Sequence, residues 1–402
     1  MPGTELFGAE ERKEVNDVLE TGILFRYGHD AQRNGHWKAK EFEEEAKKIT
    51  GAKYALATSS GSTAVITALA AAGIGAGDEV IVPPFTFIAT IEAVLFIGAL
   101  PVFAEVDETL CLSAEGIRKA ITPKTKGVCL VHMCGSAADM DSIMEVINEH
   151  NLTLVDDAGQ AFAASYKGKA TGLWGKAGAF SFDFFKIATA GEGGILVTND
   201  EEVYKKAEYY SDHGHSHVGA KRGMEPHPVL GFNYRIGELN AAVAVAQTRR
   251  VPQVLAANRK HKKMLTELLS VTPGIGFAKI ADPDGDSATF LNLLMETPEA
   301  AQRVVDAFNN DGVVGFDYWF KNMYHFINQW DHVKNLDTAS KLPIQILGAP
   351  QDYNNLDLPK SQNVIGRLIS FGIRCTWTEE QVKELAAKIS ESVTKALATA
   401  HA

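Results

Sequence analysis

Short apolar runs alternate with stretches of helical spacing over much of the first half of the chain. In one such stretch, Met140, Ile143, Met144 and Ile147 fall on one face of a predicted helix that ends near Asn148–Asn151. Repeated alternation of this kind predicts an α/β fold, in which a mainly parallel sheet is covered by helices on both faces. Ligands of such sheets bind beyond the carboxyl ends of the strands. The predicted strands are Glu79–Val82, Pro101–Val106, Gly127–His132, Leu152–Val155, Ala179–Phe182 and Gly194–Thr198.

The second half of the chain has a different pattern. Helical spacing runs from Leu239 to Leu265, and Pro252 inside it predicts either a kink or a boundary between two helices. Farther on, Thr297-Pro298-Glu299 is typical of a helix start, and Thr378-Glu379-Glu380-Gln381 fits a capping box that opens a final amphipathic helix. We therefore predict a large α/β domain with an N-terminal segment at residues 1–250, and a smaller C-terminal α+β domain at residues 251–402.

Composition narrows the class of protein. Of the 402 residues, 46% are hydrophobic and 22% are charged, which is usual for a globular chain. The formal net charge of -11 argues against broad nucleic-acid binding, which needs a basic surface. No apolar stretch reaches the roughly 18 residues of a membrane-spanning helix, and Met1–Glu20 lacks the features of a signal peptide. Cys111, Cys129, Cys134 and Cys375 show no paired spacing, which favours reduced thiols in a cytoplasmic protein.

Two segments that follow predicted strands carry side chains suited to ligand binding. Thr58–Thr63 precedes an Ala-rich helix, so its small residues either expose backbone N–H groups to an anion such as phosphate or form a plain N-cap. Asp156 and Asp157 end an apolar run, where a carboxylate holds a protonated heterocycle nitrogen, holds a metal or caps the next helix. Because successive strand residues point in opposite directions, we expect one of the two acids to face the site.

Lys186 follows the aromatic stretch Phe180–Phe185 and precedes the glycine-rich turn Gly191–Gly194. A partly desolvated lysine has a lowered pKa and forms a Schiff base with a carbonyl. Alternatively, its stem packs on apolar neighbours while the ammonium stays in water. This segment alone leaves both interpretations open.

Other common signatures are absent or weak. The chain has no G-x-x-x-x-G-K-[ST] sequence, and Gly73–Gly77 has the wrong spacing for a dinucleotide fingerprint, which disfavours ATP and NAD sites of those kinds. His213, His215 and His217 alternate along the chain, but no acidic or cysteine partner has a recognisable metal-ligand spacing. We therefore expect a flexible loop there and no metal site.

The order of these segments resembles the DegT/DnrJ/EryC1/StrS sugar aminotransferases, a family of fold type I pyridoxal-phosphate enzymes. The resemblance runs from about Glu10 to the final helix. It implies a mostly parallel, seven-stranded sheet between helices in the large domain, pyridoxal 5′-phosphate as cofactor, and aminotransferase activity. The motifs that carry it are Ser60–Ala64, Pro84–Thr90, Asp157–Ala161, Ser181–Lys186, Gly191–Gly194 and Gly231–Arg235.

The resemblance implies roles for single residues around the cofactor ring. Lys186 would form the Schiff base and move the proton between substrate and cofactor, and Asp157 would keep the pyridine nitrogen protonated. Phe87 matches a side chain that stacks on the ring. Gln160 matches a residue beside the ring hydroxyl, where the family often has His. The dehydratase branch of the family has His in place of Lys186, so the lysine favours amine transfer over deoxygenation.

The resemblance also implies phosphate contacts and an assembly. Ser62, Thr63 and Ser181 match the phosphate-binding residues. Gly61-Ser62-Thr63 stands where Gly-Thr-Ala is more common, and we expect the Thr63 hydroxyl to preserve anion binding. Asn233 matches a residue that the family donates from the neighbouring subunit, which implies a homodimer with shared active sites.

For the substrate, the resemblance implies glutamate as amino donor and a sugar as acceptor. Arg26 and Arg374 are each expected either to clamp a carboxylate or to form an ion pair within the protein. His132 and His325 are each either polar wall residues of the pocket or satisfied core histidines. The residues expected to contact substrate are Arg26, Tyr27, His132, Tyr318, His325 and Arg374.

Within the family, the sequence is most similar to the branch that aminates an 8-oxo derivative of the sugar acid 3-deoxy-manno-octulosonate for lipopolysaccharide synthesis. The alternative acceptor is a nucleotide-linked 4-keto sugar. Two other classes are a non-catalytic cofactor-binding regulator, which the absence of a DNA-binding extension disfavours, and a nicotinamide oxidoreductase, which the missing glycine fingerprint disfavours.

Overall fold

Helices and strands alternate along the chain in a computed structural model that describes residues 2–218 and 222–398. The strands are β1 (Tyr54–Thr58), β2 (Glu79–Val82), β3 (Leu100–Phe103), β4 (Thr125–Val131), β5 (Thr153–Asp157), β6 (Ser165–Tyr166), β7 (Lys169–Ala170), β8 (Ala177–Ser181), β9 (Gly194–Thr198), β10 (Gly276–Phe277), β11 (Phe290–Leu294), β12 (Phe316–Asp317) and β13 (Leu368–Gly372). The helices are α1 (Pro2–Glu5), α2 (Ala9–Thr21), α3 (Lys38–Thr50), α4 (Gly61–Ala71), α5 (Ala89–Phe96), α6 (Ala114–Ala120), α7 (Met140–Glu149), α8 (Glu201–Tyr210), α9 (Glu238–Leu269), α10 (Pro298–Asp311), α11 (Asp331–Lys334), α12 (Ile344–Leu347), α13 (Pro359–Arg367) and α14 (Glu379–Ala398).

Seven strands form the large sheet, in the order β1-β9-β8-β5-β4-β2-β3. Strands β3, β2, β4, β5 and β8 pair in parallel, whereas β9 runs antiparallel to both of its neighbours, β8 and β1. The predicted α/β fold with a mostly parallel, seven-stranded sheet is therefore confirmed, with β9 as the reversed strand.

Buried side chains cover both faces of this sheet. Leu56 on β1 packs in an apolar cluster with helices α4 to α7, whereas its neighbours Ala55 and Ala57 pack in another cluster with α3 and α9. Successive strand residues point to opposite faces, so the two clusters lie on opposite sides of the sheet. This is the helix–sheet–helix layering that the alternating pattern predicts.

A smaller, antiparallel sheet is built from the later part of the chain, in the order β10-β11-β13-β12. Helices α10 and α14 supply Val304, Phe308 and Ile389 to an apolar cluster that also contains Leu293 and Phe371 of this sheet. Antiparallel strands packed with helices form the α+β arrangement expected for this part of the chain.

Two predicted helix starts are confirmed. Thr297 accepts a hydrogen bond from the Ala300 N–H at 3.1 Å, with Pro298 in the first turn of α10. Before α14, the Thr378 N–H donates to Gln381 Oε1 (2.9 Å) and the Gln381 N–H donates to the Thr378 hydroxyl (3.3 Å), which completes the capping box. Across residues 2–218 and 222–398, no helix has both the length and the apolarity to cross a membrane.

Helix α9 is continuous through Pro252, so the alternative of two separate helices is wrong. Pro252 is exposed, while Val251 and Val254 beside it are buried against the layer beneath. This packing holds the helix together although proline removes one backbone hydrogen bond. Residue 250, the predicted domain boundary, thus lies inside a helix.

The four cysteines carry free thiols. Cys111, Cys129 and Cys134 are buried and Cys375 is half-buried. Burial raises the pKa of Cys111 and of Cys375 to about 12, so these thiols are protonated at neutral pH and are poor nucleophiles.

Candidate active site

The carboxyl ends of β1, β5 and β8 lie at one edge of the large sheet, around a cavity of about 230 Å³. Asp157 ends β5, Ser181 ends β8, and α4 begins shortly after β1. This is the edge at which an open α/β sheet binds ligands. The predicted site residues that line this cavity are Ser62, Phe87, Asp157, Gln160, Ser181 and Lys186.

The amino end of α4 forms one wall of the cavity. Ser60 caps the helix: its hydroxyl accepts from the Thr63 N–H (3.1 Å), and its own N–H donates to the Thr63 hydroxyl (3.0 Å). The N–H groups of Gly61 and Ser62 in the first turn have no partner within the helix, and the helix dipole favours an anion there. A Cβ at Gly61 would lie 2.6 Å from the Cβ of Ser181, so only glycine lets Ser181 approach this turn. The wall is therefore suited to a phosphate group.

Asp157 is buried, and each of its carboxylate oxygens has a hydrogen-bond donor. Oδ2 accepts from the Thr90 hydroxyl at 2.7 Å and Oδ1 accepts from the Gly159 N–H at 3.0 Å. Burial raises the pKa of Asp157 above its usual value, and these two bonds and the positive charge of Lys186 offset only part of that rise. A carboxylate held in this way is suited to a cationic group of a ligand.

Lys186 is half-buried and faces the cavity from the loop after β8. Phe87, whose side chain is 40% exposed, faces the same space. Phe87, Gln160, Asp183 and Lys186 also line a larger cavity of about 1150 Å³. Lys186 therefore lies where the two cavities meet.

His325 lines the larger cavity. Its ring packs against Phe87, with centroids 5.5 Å apart, and against Trp319 at 4.5 Å. Burial, together with the positive charge of Lys186, lowers the pKa of His325 to about 3, so the ring is neutral at neutral pH. Nδ1 lies 2.9 Å from Asn322 Oδ1, which only accepts hydrogen bonds, so Nδ1 is the protonated nitrogen and Nε2 is left as an acceptor.

Gln160 is oriented by the backbone of a neighbouring turn. Its Oε1 accepts a hydrogen bond from the Cys134 N–H at 3.1 Å. Since the oxygen of the amide is used in this way, the Nε2 group is left to donate to a ligand.

Comparison with known proteins identifies the family. The model of the DegT/DnrJ/EryC1/StrS aminotransferase family matches residues 6–390. The chain belongs to this family.

The GDP-perosamine synthase of Caulobacter vibrioides is 41% identical over 226 residues. These residues cover 55% of this chain and 58%, less than two thirds, of that protein. The UDP-N-acetyl-3-dehydro-α-D-glucosamine 3-aminotransferase of Acidithiobacillus ferrooxidans is 34% identical over 284 residues, or 70% of this chain and 74% of that protein. The crystal structure of an aminotransferase from Psychrobacter cryohalolentis superposes with a TM-score of 0.82 at 29% identity and covers 98% of both chains.

As a member of the DegT/DnrJ/EryC1/StrS family, the protein is an aminotransferase whose cofactor is pyridoxal 5′-phosphate. The side chains at the smaller cavity fit this cofactor. The amino end of α4, with the hydroxyls of Ser62 and Ser181, suits its phosphate. The Asp157 carboxylate suits a protonated ring nitrogen, and the Lys186 amine suits its aldehyde.

Thr63 is the one predicted phosphate-binding residue that the structure places elsewhere. Its side chain lines neither cavity, because its hydroxyl takes part in the capping box with Ser60. The expectation that this hydroxyl preserves anion binding is therefore not supported. Ser60, which lines the smaller cavity, and the free N–H groups of α4 supply polar groups there instead.

Arg26 is also used within the protein. It is 4% exposed and donates to Glu43 Oε1 (2.6 Å) and to the Ala57 carbonyl (2.8 Å). Tyr27 stacks on His217, with ring centroids 4.3 Å apart. Neither side chain lines either cavity, so their predicted substrate contacts are not supported within this chain.

We expect Arg26→Met to act on stability. Removing the guanidinium leaves Glu43 buried without its cation, which costs about 3–5 kcal/mol of unfolding free energy. Denaturant titration measures this loss. The double variant Arg26→Met/Glu43→Leu, which removes both charges, is expected to recover most of it. A single variant with unchanged stability and a raised KM would show that Arg26 binds substrate after all.

His132 and Tyr318 also lie outside both cavities. His132 is fully buried, its Nδ1 accepts from the Ala138 N–H (3.2 Å), and burial lowers its pKa to about 3. It is a core histidine, but not the fully satisfied one that the sequence predicts as its second alternative, because its Nε2 has no hydrogen-bond partner among residues 2–218 and 222–398. The Tyr318 hydroxyl donates to the Gly366 carbonyl (2.9 Å), so it is used in packing α13 against the neighbouring strand segment. Their predicted substrate contacts are therefore not supported.

Arg374 is exposed and lines the larger cavity with His325, so these two of the six predicted substrate residues lie where a substrate would reach them. No carboxylate of residues 2–218 and 222–398 lies within 4 Å of the Arg374 guanidinium. The two alternatives for the arginines are therefore divided between them. Arg26 forms an ion pair within the protein, whereas the Arg374 guanidinium is free to bind a carboxylate of a ligand.

Asn233 is exposed and lines neither cavity of its own chain. It forms an isolated bridge with Asp212, a buried acid that pairs with Arg222 and Arg235. The nearby His215 and His217 are partly buried and lie close to Glu225 and Asp212. Within the described ranges 2–218 and 222–398, no three His, Cys, Asp or Glu side chains are grouped so that they would hold a metal ion.

Sequence reasoning missed Thr90, whose hydroxyl is the side-chain donor to Asp157. The Thr86 hydroxyl lies 2.8 Å from the Thr90 hydroxyl, and the four-residue spacing of Thr86, just before α5, and Thr90, in its first turn, is the signal that was available. Asp183 and Glu192 line the smaller cavity without having been singled out.

Proposed function

We propose that this aminotransferase moves an amino group from glutamate to a keto sugar linked to a nucleoside diphosphate. The observation that carries the proposal is that Lys186 and Asp157 face one cavity, which joins a second cavity large enough for a bulky acceptor. Two of the relatives, the GDP-perosamine synthase and the UDP-N-acetyl-3-dehydro-α-D-glucosamine 3-aminotransferase, are named for GDP- and UDP-linked sugars. These names support a nucleotide-linked acceptor over a free sugar acid.

The reaction exchanges an amine for a carbonyl oxygen. Glutamate gives up its amino group and becomes 2-oxoglutarate, and the sugar carbonyl becomes an amine while its oxygen leaves as water. Bound pyridoxal phosphate supplies an aldehyde that carries the amine and a ring that withdraws electrons from the reacting carbon.

In this proposal Lys186 holds the cofactor covalently and then carries the proton to and from the reacting carbon through its Nζ. The Asp157 carboxylate holds a proton on the ring nitrogen, which keeps the ring electron-withdrawing. Phe87 stacks on the ring, and the Gln160 amide donates to the ring oxygen. Ser62 and Ser181 bind the phosphate.

Thr90→Val is expected to weaken cofactor binding about tenfold, because it removes a hydrogen bond to a charged carboxylate, typically about 1.5–3 kcal/mol, with little change of shape. The dissociation constant of pyridoxal phosphate, followed by absorbance, measures the effect. Thr90→Ser keeps the hydroxyl and is the matched control. Equal affinities in the two variants would show that the contact to Asp157 does not matter for the cofactor.

The 8-oxo derivative of 3-deoxy-manno-octulosonate is the second candidate acceptor. The available guanidinium of Arg374 favours it, because arginine pairs with a carboxylate in a two-pronged geometry. The two candidates differ in their anionic group, a diphosphate in one and a carboxylate in the other.

A single-turnover assay separates these acceptors. The purified protein is treated with glutamate to convert its cofactor to the amine form, freed of glutamate, and mixed with one acceptor at a time. We expect a GDP- or UDP-linked 4-keto sugar to restore the aldehyde absorbance and the 8-oxo sugar acid to leave it unchanged. Restoration by the sugar acid alone would replace the first candidate with the second.

We also propose a homodimer with shared active sites. The segment before α9 exposes Leu230 by 93% and Phe232 by 64%, next to the exposed Asn233. Large apolar side chains exposed together are typical of an interaction surface. Light scattering is expected to give twice the mass of the chain, and a monomer at assay concentration would contradict this proposal.

A further inference from the structure

The larger cavity is lined on one side by Lys186 and on another by a wall formed by residues 374–388. Arg374 and Trp377 lie in the connection between β13 and α14, and α14 adds residues that recur at helical spacing on one face. We call this surface the distal wall, and its residues are Arg374, Trp377, Gln381, Glu384, Leu385 and Lys388.

The connection that carries Arg374 and Trp377 is fixed from behind. The Arg374 carbonyl oxygen lies 2.8 Å from Nδ1 of His261 on α9. Glu5 Oε2 accepts hydrogen bonds from the Thr376 N–H (3.3 Å) and from the Thr376 hydroxyl (2.9 Å). These bonds use the backbone and the Thr376 side chain, so they leave the guanidinium and the indole to the cavity. A wall that is held before the ligand arrives costs less to order on binding.

The chemistry of the distal wall suits a ligand that joins an anionic group to a ring. A guanidinium binds carboxylate or phosphate through two parallel N–H donors, and that of Arg374 has no carboxylate of residues 2–218 and 222–398 within 4 Å. The Trp377 indole is half-buried against the small-sheet cluster and offers a surface on which a sugar ring or a base stacks.

We propose that the distal wall binds the part of the amino acceptor that is remote from its reacting carbonyl, with Arg374 on the anionic group and Trp377 on the ring. This inference rests on the proposed function. The cavity of about 1150 Å³ exceeds the range of about 300–1,000 Å³ that is usual for small-ligand sites. Glutamate, which must place its amino group at Lys186, is small compared with this cavity and leaves much of it unfilled. The distal wall therefore selects the acceptor and leaves the donor unaffected.

The two half-reactions make this testable in one protein. Arg374→Met and Trp377→Leu are assayed by stopped-flow absorbance, first with glutamate and then, in the amine form, with the acceptor that wild-type protein uses. We expect kcat/KM for the acceptor to fall about tenfold or more, from loss of a charge-assisted contact or a stacking surface, with the glutamate half-reaction within about twofold of wild type. Unchanged glutamate turnover also shows that each variant is folded.

Trp377→Phe, which keeps an aromatic ring, is expected to retain most of the acceptor rate. Lys383→Met, which removes an exposed cation of α14 outside the cavity, is the matched control and is expected to match wild type.

Competition identifies the anionic group. If it is a diphosphate, free GDP or UDP inhibits the acceptor half-reaction of wild-type protein, and Arg374→Met weakens this inhibition. If it is a carboxylate, 3-deoxy-manno-octulosonate inhibits instead, with the same loss in the variant. Equal losses in both half-reactions would overturn the inference, since the wall would then serve the donor too, and so would an unchanged acceptor rate in both variants. Failure of the proposed function looks different: wild-type protein itself would transfer no amine to any sugar.

Discussion

Lys186→Ala is expected to abolish amine transfer. The substitution removes both the covalent attachment of the cofactor and the group that moves the proton, and acid–base catalysis alone contributes about 10²–10⁴-fold in rate. We expect turnover to fall by at least about 10⁴-fold, and the absorbance band of the lysine-linked cofactor to disappear. Steady-state assay and absorbance spectra measure the two effects.

The matched control for this variant is Lys176→Ala. Lys176 is exposed and directly precedes β8, at the opposite end of the strand from Ser181 and the Lys186 loop. We expect its loss to change neither the spectrum nor the rate. Retained turnover in Lys186→Ala would show that another amine carries the reaction.

Asp157→Asn is expected to have the second largest effect. An amide has no negative charge with which to hold a proton on the ring nitrogen, so the ring withdraws electrons less well. We expect kcat to fall by about 10²–10⁴-fold while the cofactor still attaches to Lys186. Single-turnover absorbance with glutamate measures the proton-transfer step directly.

Asp156→Asn is the matched control for this substitution. Asp156 is buried on the opposite side of β5, where Oδ2 accepts from the Trp174 N–H (2.8 Å) and the Gly175 N–H (3.1 Å). Its loss is expected to act on stability and to leave the cofactor spectrum unchanged. Equal rate losses in the two variants would contradict the assignment of Asp157 to the ring nitrogen.

The fold could be predicted from the chain because its signals are local. The apolar runs at Glu79–Val82 and Gly194–Thr198 match β2 and β9 residue for residue, and the capping box at Thr378 lies where the final helix begins. The reversed direction of β9 could not be predicted, since it depends on how the turn after Lys186 returns the chain to the sheet. Strand direction is a tertiary property that an apolar run does not encode.

The placement of Asp157 and Lys186 could also be anticipated, because Asp157 ends one strand and Lys186 lies in the loop after another, and both strand ends open on the site. Other residues were misplaced because their partners are remote in sequence. Arg26 is used by Glu43 across 17 residues, and Tyr318 by the Gly366 carbonyl across 48. Nothing near Arg26 in the sequence indicates that its charge is already compensated.

The expectation that the Thr63 hydroxyl binds the phosphate is not supported for a different reason. The hydroxyl of a residue in the first turn of a helix bonds either to a ligand or to the N-cap residue. In α4 the Thr63 hydroxyl bonds to Ser60 at the N-cap. The spacing of the two residues was visible in the sequence, but the competition between the two uses is resolved only by the geometry of the turn.

The site at which the cofactor attaches can be measured directly. The protein is saturated with pyridoxal phosphate, reduced with borohydride so that the imine becomes a stable amine, digested, and examined by peptide mass spectrometry. We expect a single modified peptide, with the cofactor mass on Lys186. Modification of another lysine, or an unmodified Lys186 peptide in protein that binds the cofactor, would contradict it.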